Sequence, residues 1–367
     1  MKILHITPTF EPKIGGIENV ISNLVRQSVR NGIVADVLHV EPGMRYEKEY
    51  NQYGTITWRR PVYGHRLIGL IPSMRKIASG YDILHVHDPQ TAAISLNLAL
   101  FCQGKIKIFS THGGFFHNSK DSIAKKLYWS AITPLMLKQY SYVLASSSSD
   151  ALTFQKRNDK TQLAANGVDV ERYLSIHRDN QTSLRRWLYW GRISDNKRIH
   201  LTINLVAKLK RRGVDVSLII AGPDFDGLVP YLEDIIKQEG VADRITIRSE
   251  LDDAELLKTI VDQNVYITAS AYEGFGLTVI EALAAGLVVV ANDISPLNNF
   301  VRTGENGLLI DFNGTETELA AIESFVASSP EKVQAMTLAA RASARSFDWN
   351  RSFKTFLDVY NNLALKI

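Results

Sequence analysis

Hydrophobic positions along the chain follow two alternating patterns. Short runs at 3–6, 35–39, 83–86, 106–110 and 142–145 are almost continuously apolar, and between them apolar residues recur every three or four positions, over about 17–31, 92–102 and 122–139. Continuous runs of this length predict strands buried on both faces, and the longer period predicts helices. The plan repeats further along, with strands expected at 187–190, 216–221, 245–247, 265–269 and 287–291 and helical segments between them. Such alternation predicts parallel sheets covered by helices, hence an α/β fold. It breaks at 175–183, which is polar and without period. Two doubly wound domains in tandem are therefore expected, over 1–175 and 184–350, each with its ligand-contacting loops at the carboxyl ends of its strands, and two such crevices facing each other make one deep cleft. The last segment, 349–365, carries Phe353, Phe356, Leu357, Tyr360 and Leu363 at helical spacing and so needs a surface to cover.

The stretch richest in candidate chemistry runs from Ala271 to Glu281, Ala-Tyr-Glu-Gly-Phe-Gly-Leu-Thr-Val-Ile-Glu, between two of the expected strands. Gly274 and Gly276 let the backbone approach a ligand, and a helix expected from Thr278 offers free amide donors at its start. Glu273 lies in the turn and Glu281 about one turn into the helix, so both can face one crevice.

Composition bounds the possibilities. With 367 residues, 45% hydrophobic and 22% charged, the chain is an ordinary folded protein of two-domain size. No run reaches ~18 apolar residues, so no transmembrane helix is expected. The first residues read as a strand without signal-peptide layout, and the single cysteine, Cys102, forms no internal disulfide, which together favour the cytoplasm. Charge is uneven: residues 1–183 carry 22 Lys and Arg against 14 Asp and Glu, and the remainder 20 against 24. A basic first half suits an anionic partner such as nucleic acid, phosphorylated lipid or a membrane surface, although a solvated basic face has the same composition.

After the first strand, Gly15-Gly16 precedes a helix and makes a turn with exposed amides suited to a diphosphate or sugar, or simply a loop. It lacks the Gly-x-Gly-x-x-Gly of a dinucleotide site, which argues against hydride transfer. His85 and His87, then His112 and His117, cluster at strand ends. Their spacing is not that of a zinc hydrolase, and His112 beside Gly113 is placed to hydrogen-bond a sugar; His87 and His117 fit a supporting or a packing role equally. Gly191, Arg192 and Lys197 leave a strand end before a helix, where fixed cations can neutralise a diphosphate. Residues 120–138 mix lysines and aromatics with aliphatics, so one face fits an anionic bilayer or, alternatively, a core-facing helix kinked at Pro134.

Taken together and in this order, Gly15-Gly16, Thr111-His112-Gly113, Gly191-Arg192 with Lys197, and Glu273 through Glu281 resemble the retaining glycosyltransferases of family 4. The resemblance spans nearly the whole chain, and its most specific part is the pair of glutamates eight apart around Gly-Phe-Gly-Leu. It implies the GT-B fold, with an N-terminal acceptor domain, a C-terminal donor domain, and a last helix, 351–367, crossing back to the first. It implies that Arg192 and Lys197 hold the donor diphosphate, that Glu281 binds the ribose, and that Glu273 contacts the donor sugar. Gly191, Gly274, Phe275, Gly276 and Leu277 would meet sugar and phosphate, His112 the sugar, and Gly15 and Gly16 the diphosphate. Ser-Thr-His-Gly-Gly-Phe-Phe-His and Glu-x-x-x-Gly-Gly-Ile-Glu further resemble bacterial exopolysaccharide mannosyltransferases, which move mannose from GDP-mannose to a polyprenyl-diphosphate-linked oligosaccharide. That implies a peripheral place on the inner face of the plasma membrane. One departure stands out: Arg198 follows Lys197 where the family has glycine. No metal or cofactor is expected, with Arg192 and Lys197 doing a metal's work at the diphosphate. Alternatives are a UDP-glucose or UDP-N-acetylglucosamine transferase, a nucleotide-sugar epimerase, a glycoside hydrolase and a non-catalytic sugar-binding subunit.

Overall fold

A computed structural model describes residues 1–12, 15–65, 68–87, 92–113, 128–178 and 182–365. The chain forms two compact units, Met1–Gly167 with Trp349–Ile367, and Val168–Asp348. His117 and residues 120–127 of the stretch 120–138 lie outside the described residues. Where the latter stretch resumes, Pro134 sits in the first turn of the short helix Thr133–Leu137, the one helical position where its missing N–H does no harm.

The first unit is built on an eight-stranded sheet. Its strands are β1 (Lys2–Thr7), β2 (Val34–Glu41), β3 (Glu47–Tyr50), β4 (Ile56–Pro61), β5 (Ile83–Val86), β6 (Ile106–Ser110), β7 (Tyr142–Ala145) and β8 (Thr161–Leu163), in the order β3-β4-β2-β1-β5-β6-β7-β8. All neighbours are parallel except β3, which runs antiparallel to β4. The direction of winding reverses between β1 and β5, so a crevice opens beyond the carboxyl ends of these two strands. Sequence pattern missed β3, β4 and β8. Every residue of β3 is exposed and Arg59 and Arg60 interrupt β4, so neither carries the apolar run that marks a strand.

The C-terminal helix, Trp349–Ala364, is amphipathic and buries Trp349, Phe353, Phe356, Val359, Tyr360 and Leu363 within this unit. Each such side chain contributes roughly 1.5–3 kcal/mol on burial. Trp349 packs against Gly167 so closely that a Cβ there would lie 2.6 Å from the indole. Tyr360 Oη lies 2.8 Å from His85 Nδ1 on β5, tying the helix to the sheet.

The second unit holds six parallel strands, β9 (Arg186–Trp190), β10 (Ser217–Ala221), β11 (Ile245–Arg248), β12 (Val265–Thr268), β13 (Val288–Asn292) and β14 (Gly307–Ile310), ordered β11-β10-β9-β12-β13-β14. This is the doubly wound order, and its switch point falls between β9 and β12. The units do not part at the polar stretch 175–183. The helix Val170–Leu174 already packs in the second unit, and Arg341 hydrogen-bonds the carbonyls of Leu174 (3.2 Å) and Ile176 (2.6 Å). A stretch can look like a linker in composition and still be held by its backbone. Among the described residues, no helix is long and apolar enough to cross a membrane.

Candidate active site

The two loops that leave β9 and β12 meet at the switch point of the second unit. Ala271 N donates to Asn196 O (2.8 Å) and Asn196 Nδ2 to Tyr272 O (3.4 Å), which ties one loop to the other, while Ser194 Oγ donates to Asn196 Oδ1 (2.8 Å) within the first. On this frame Lys197 Nζ lies 2.5 Å from Glu273 Oε1, with only 13% and 11% of the side chains exposed. Ser270 Oγ donates to the same carboxylate oxygen (2.7 Å). A nearly dry, charge-assisted pair of this kind is strong and fixed in direction.

Arg192 is exposed, its guanidinium 4.8 Å from the centre of the Phe225 ring. Gly191, at φ 143°, lets the chain leave β9 in a conformation that L side chains rarely adopt. Arg198 stands in the left-handed region, at φ 46°, a conformation that glycine adopts more readily; its Nε donates to Ala269 O (2.8 Å). The strained backbone is thus accompanied by a second tie between the loops.

Beyond Glu273 the chain turns through Gly274 and Phe275 to Gly276, at φ 88°, and enters the helix Leu277–Ala284. A Cβ on Gly276 would lie 2.7 Å from Leu297 Cδ2, so any side chain here meets both a strained backbone and a buried neighbour that must move. Phe275 is buried edge-on against Phe300. Glu281 lies one turn into the helix. Burial raises its carboxyl above the usual range, while hydrogen bonds from the Trp190 indole and Tyr173 and the charge of Arg172 work against that rise. Arg172 in turn pairs with Asp253. An acceptor held this firmly suits hydroxyl recognition more than proton transfer. Arg192, Lys197, Glu273, Glu281 and the glycines between them are therefore gathered at one edge of one sheet.

The first unit places Gly15, Gly16 and His112 at the corresponding edge of its own sheet. Gly15 precedes the helix Gly16–Arg30, whose Glu18 accepts a hydrogen bond from Thr9, linking the residues just after β1 to the first turn of the helix. His112 follows β6 at φ 50°. The adjacent Thr111 donates to Asp150 (2.6 Å), which Ser146 also bonds (3.1 Å), so a buried carboxylate anchors this turn. His112 Nε2 is 2.8 Å from His87 Nδ1, which places His87 in direct support of it. Burial pushes the His112 imidazole down to about 4, so the ring is neutral near pH 7. Sequence reasoning missed Asp150, Ser270, Tyr173, Trp190 and Phe225; a Trp ending a strand was the one available signal, since its indole N–H needs a partner when buried.

Residues 14–172 match the family described as Glycosyltransferase Family 4, and residues 178–343 the one described as Glycosyl transferases group 1. A GDP-mannose:cellobiosyl-diphosphopolyprenol alpha-mannosyltransferase of Komagataeibacter xylinus is 30% identical over 373 residues, covering 99% of this chain and 93% of that protein. Its counterpart from Xanthomonas campestris is 26% identical over 98% and 97% of the two chains. Among solved structures, sucrose-phosphate synthase from Thermosynechococcus elongatus superposes with a TM-score of 0.78 at 17% identity over the full length of both chains. Anabaena Alr3699/HepE in complex with UDP does so with a TM-score of 0.76 at 19% identity, over 99% of this chain and 100% of that one. The chain belongs to the family 4 glycosyltransferases and has their two-sheet GT-B fold.

Proposed function

We propose that the enzyme transfers mannose from GDP-mannose, with retention, to a polyprenyl-diphosphate-linked oligosaccharide. The observation that carries this is the Lys197–Glu273 pair at the switch point of the second sheet, in a chain whose full-length relatives carry GDP-mannose and diphosphopolyprenol in their names. In this reading the second unit binds the donor and the first binds the acceptor. Breaking the sugar–phosphate bond builds positive charge on the sugar and negative charge on the departing diphosphate. Arg192 and Lys197 meet the second of these, and Glu273 holds Lys197 in place and faces the sugar. Glu281 anchors the ribose hydroxyls, the backbone from Gly274 to Leu277 with Gly191 lies against sugar and phosphate, and Gly15 and Gly16 approach the diphosphate. His112 contacts the transferred sugar. The acceptor hydroxyl attacks on the face the diphosphate leaves, and its proton passes to the departing phosphate oxygen.

A hydrolase would need its two carboxylates astride the bond. Here one glutamate is engaged by lysine and serine and the other by indole and phenol, an arrangement for binding.

Peripheral contact with an anionic membrane, on the inner face of the plasma membrane, completes the reading. Its support is the basic first half and an open hollow of about 610 Å³ in the first unit, lined by Leu70, Met74, Arg75, Lys76 and Phe101. Incubation with GDP-mannose, UDP-glucose or UDP-N-acetylglucosamine and a diphosphopolyprenyl-linked acceptor tests donor and acceptor together. GDP released only when acceptor is present, with an α-linked product by proton NMR, is expected. Release from a UDP-sugar instead, epimerised donor, or a β-linked product overturns the corresponding part.

A further inference from the structure

His5, His87 and His112 lie on three successive strands or strand ends of the first unit and form one unbroken chain of hydrogen bonds. His5 Nδ1 is 2.9 Å from His87 Nε2, and His87 Nδ1 is 2.8 Å from His112 Nε2. The two ends of the chain, His5 Nε2 and His112 Nδ1, are buried without a partner among the described residues. His85 lies against His87, ring centres 4.1 Å apart and planes tilted by 34°, but stands outside the chain, because Ser110 and Tyr360 occupy its two nitrogens.

Three neutral imidazoles carry three ring protons, and two of them fill the two hydrogen bonds. The third must sit at one end, leaving a bare lone pair at the other, and the choice fixes the tautomer of all three rings. His5 lies in the middle of the central strand and is fully buried, so no ligand reaches Nε2. A buried N–H without a partner is worse than a lone pair without one. His112 stands beyond the end of β6 and is only partly buried, so an acceptor from solvent or ligand can reach its N–H; the lone pair therefore belongs at His5, and the direction follows. His5 Nδ1–H donates to His87 Nε2, His87 Nδ1–H donates to His112 Nε2, and the remaining proton rests on His112 Nδ1. We propose that His87 and His5 are positioning residues that hold the ring proton of His112 on Nδ1, so that His112 offers the bound sugar a hydrogen-bond donor and never an acceptor. The role toward sugar rests on the proposed function; the tautomer itself does not.

Nitrogens of His5, His85 and His87 also lie within 4.8 Å of one another, a spacing open to a metal ion. Both nitrogens of His87 and of His85 are already engaged, so metal binding there would cost each ring a hydrogen bond, and the chain is the arrangement these distances favour.

Nitrogen-15 NMR of the full-length protein labelled at histidine tests the inference, since protonated and bare ring nitrogens resonate in separate ranges. The His112 signals are assigned by their loss in His112→Ala. Wild-type protein is expected to show His112 protonated at Nδ1 alone. His87→Phe is expected to give a mixture of tautomers and about tenfold lower kcat, the worth of one hydrogen bond, with KM for GDP-mannose unchanged within about twofold. His87→Asn, whose amide N–H still reaches His112 Nε2, is expected to restore a single tautomer and most of kcat. Proton on His112 Nε2 in the wild type, or a His87→Phe protein that keeps the wild-type tautomer, overturns the inference. If GDP-mannose is not a substrate, the donor assignment falls while the tautomer result stands or falls by itself.

Discussion

Lys197 and Glu273 are each other's main counter-charge, so a single substitution mixes two effects. In the proposed function Lys197→Ala removes a cation from the departing diphosphate, and it also strands a nearly dry carboxylate. Turnover is expected to fall about 10²–10³-fold, and stability by about 1–3 kcal/mol. The double variant Lys197→Ala with Glu273→Gln separates them: it should recover much of the stability by urea titration and none of the turnover. Recovery of turnover would show that Lys197 acts only as a tether. At Arg198 the left-handed backbone opposes the hydrogen bond to Ala269 O. Arg198→Gly gives up the bond and relieves the backbone, so it should leave stability within about 1 kcal/mol, whereas Arg198→Ala keeps the strain and should lose about 1–2 kcal/mol. The glutamates and glycines of this loop were legible because they are near neighbours in sequence. The neighbours of Glu281 were not, since Trp190 and Tyr173 reach it from about a hundred residues away.

At the scale of elements, the helix Leu277–Ala284 is aimed by its entry at Gly276. Gly276→Ala meets both a positive φ and Leu297 Cδ2, and is expected to lose roughly 2–4 kcal/mol and to raise the donor KM as the helix start shifts. A variant with parental stability by urea titration would mean the turn can re-form without glycine. The C-terminal helix makes a second case. Its aromatic spacing called for a covering surface, and the structure supplies one in the first unit. Which strand receives Tyr360 is a matter of topology, because His85 lies 275 residues away. Tyr360→Phe is expected to lose about 1 kcal/mol.

For the whole molecule, four histidines whose charged form is disfavoured by burial, on three neighbouring strands or just beyond their ends, make stability depend on pH. Burial holds His5 at about 3 and His112 at about 4, and lowers His85 and His87 as well, against 6.5 for a free imidazole. Above pH 6.5 both folded and unfolded chains are neutral at these sites and stability is full. As pH falls below 6.5 the unfolded chain takes up protons that the folded chain refuses, so stability is lost down to about pH 4, at about 1.4 kcal/mol per pH unit for each histidine. Urea midpoints measured from pH 7 to pH 4.5 should fall steeply. In His5→Leu the slope should flatten by one proton's worth, and an unaltered slope would contradict neutral burial of His5.

The sequence by itself determined the α/β class, the two-sheet plan, the loops that carry the candidate site and the family, because each is written in local periods and short motifs. Continuous apolar runs mark central parallel strands wherever they fall, and glycine with acid at a strand end marks a ligand loop. Tertiary structure alone decided the rest. Edge strands such as β3 bury nothing and leave no pattern. The units part at Val168 because backbone carbonyls beyond it are held by Arg341, which composition does not record. The histidine chain exists because parallel pairing puts β5 beside β1, with β6 next to β5, so that residues 82 and 25 apart in sequence come within hydrogen-bond reach. Only pairing across strands turns three scattered imidazoles into one directed array.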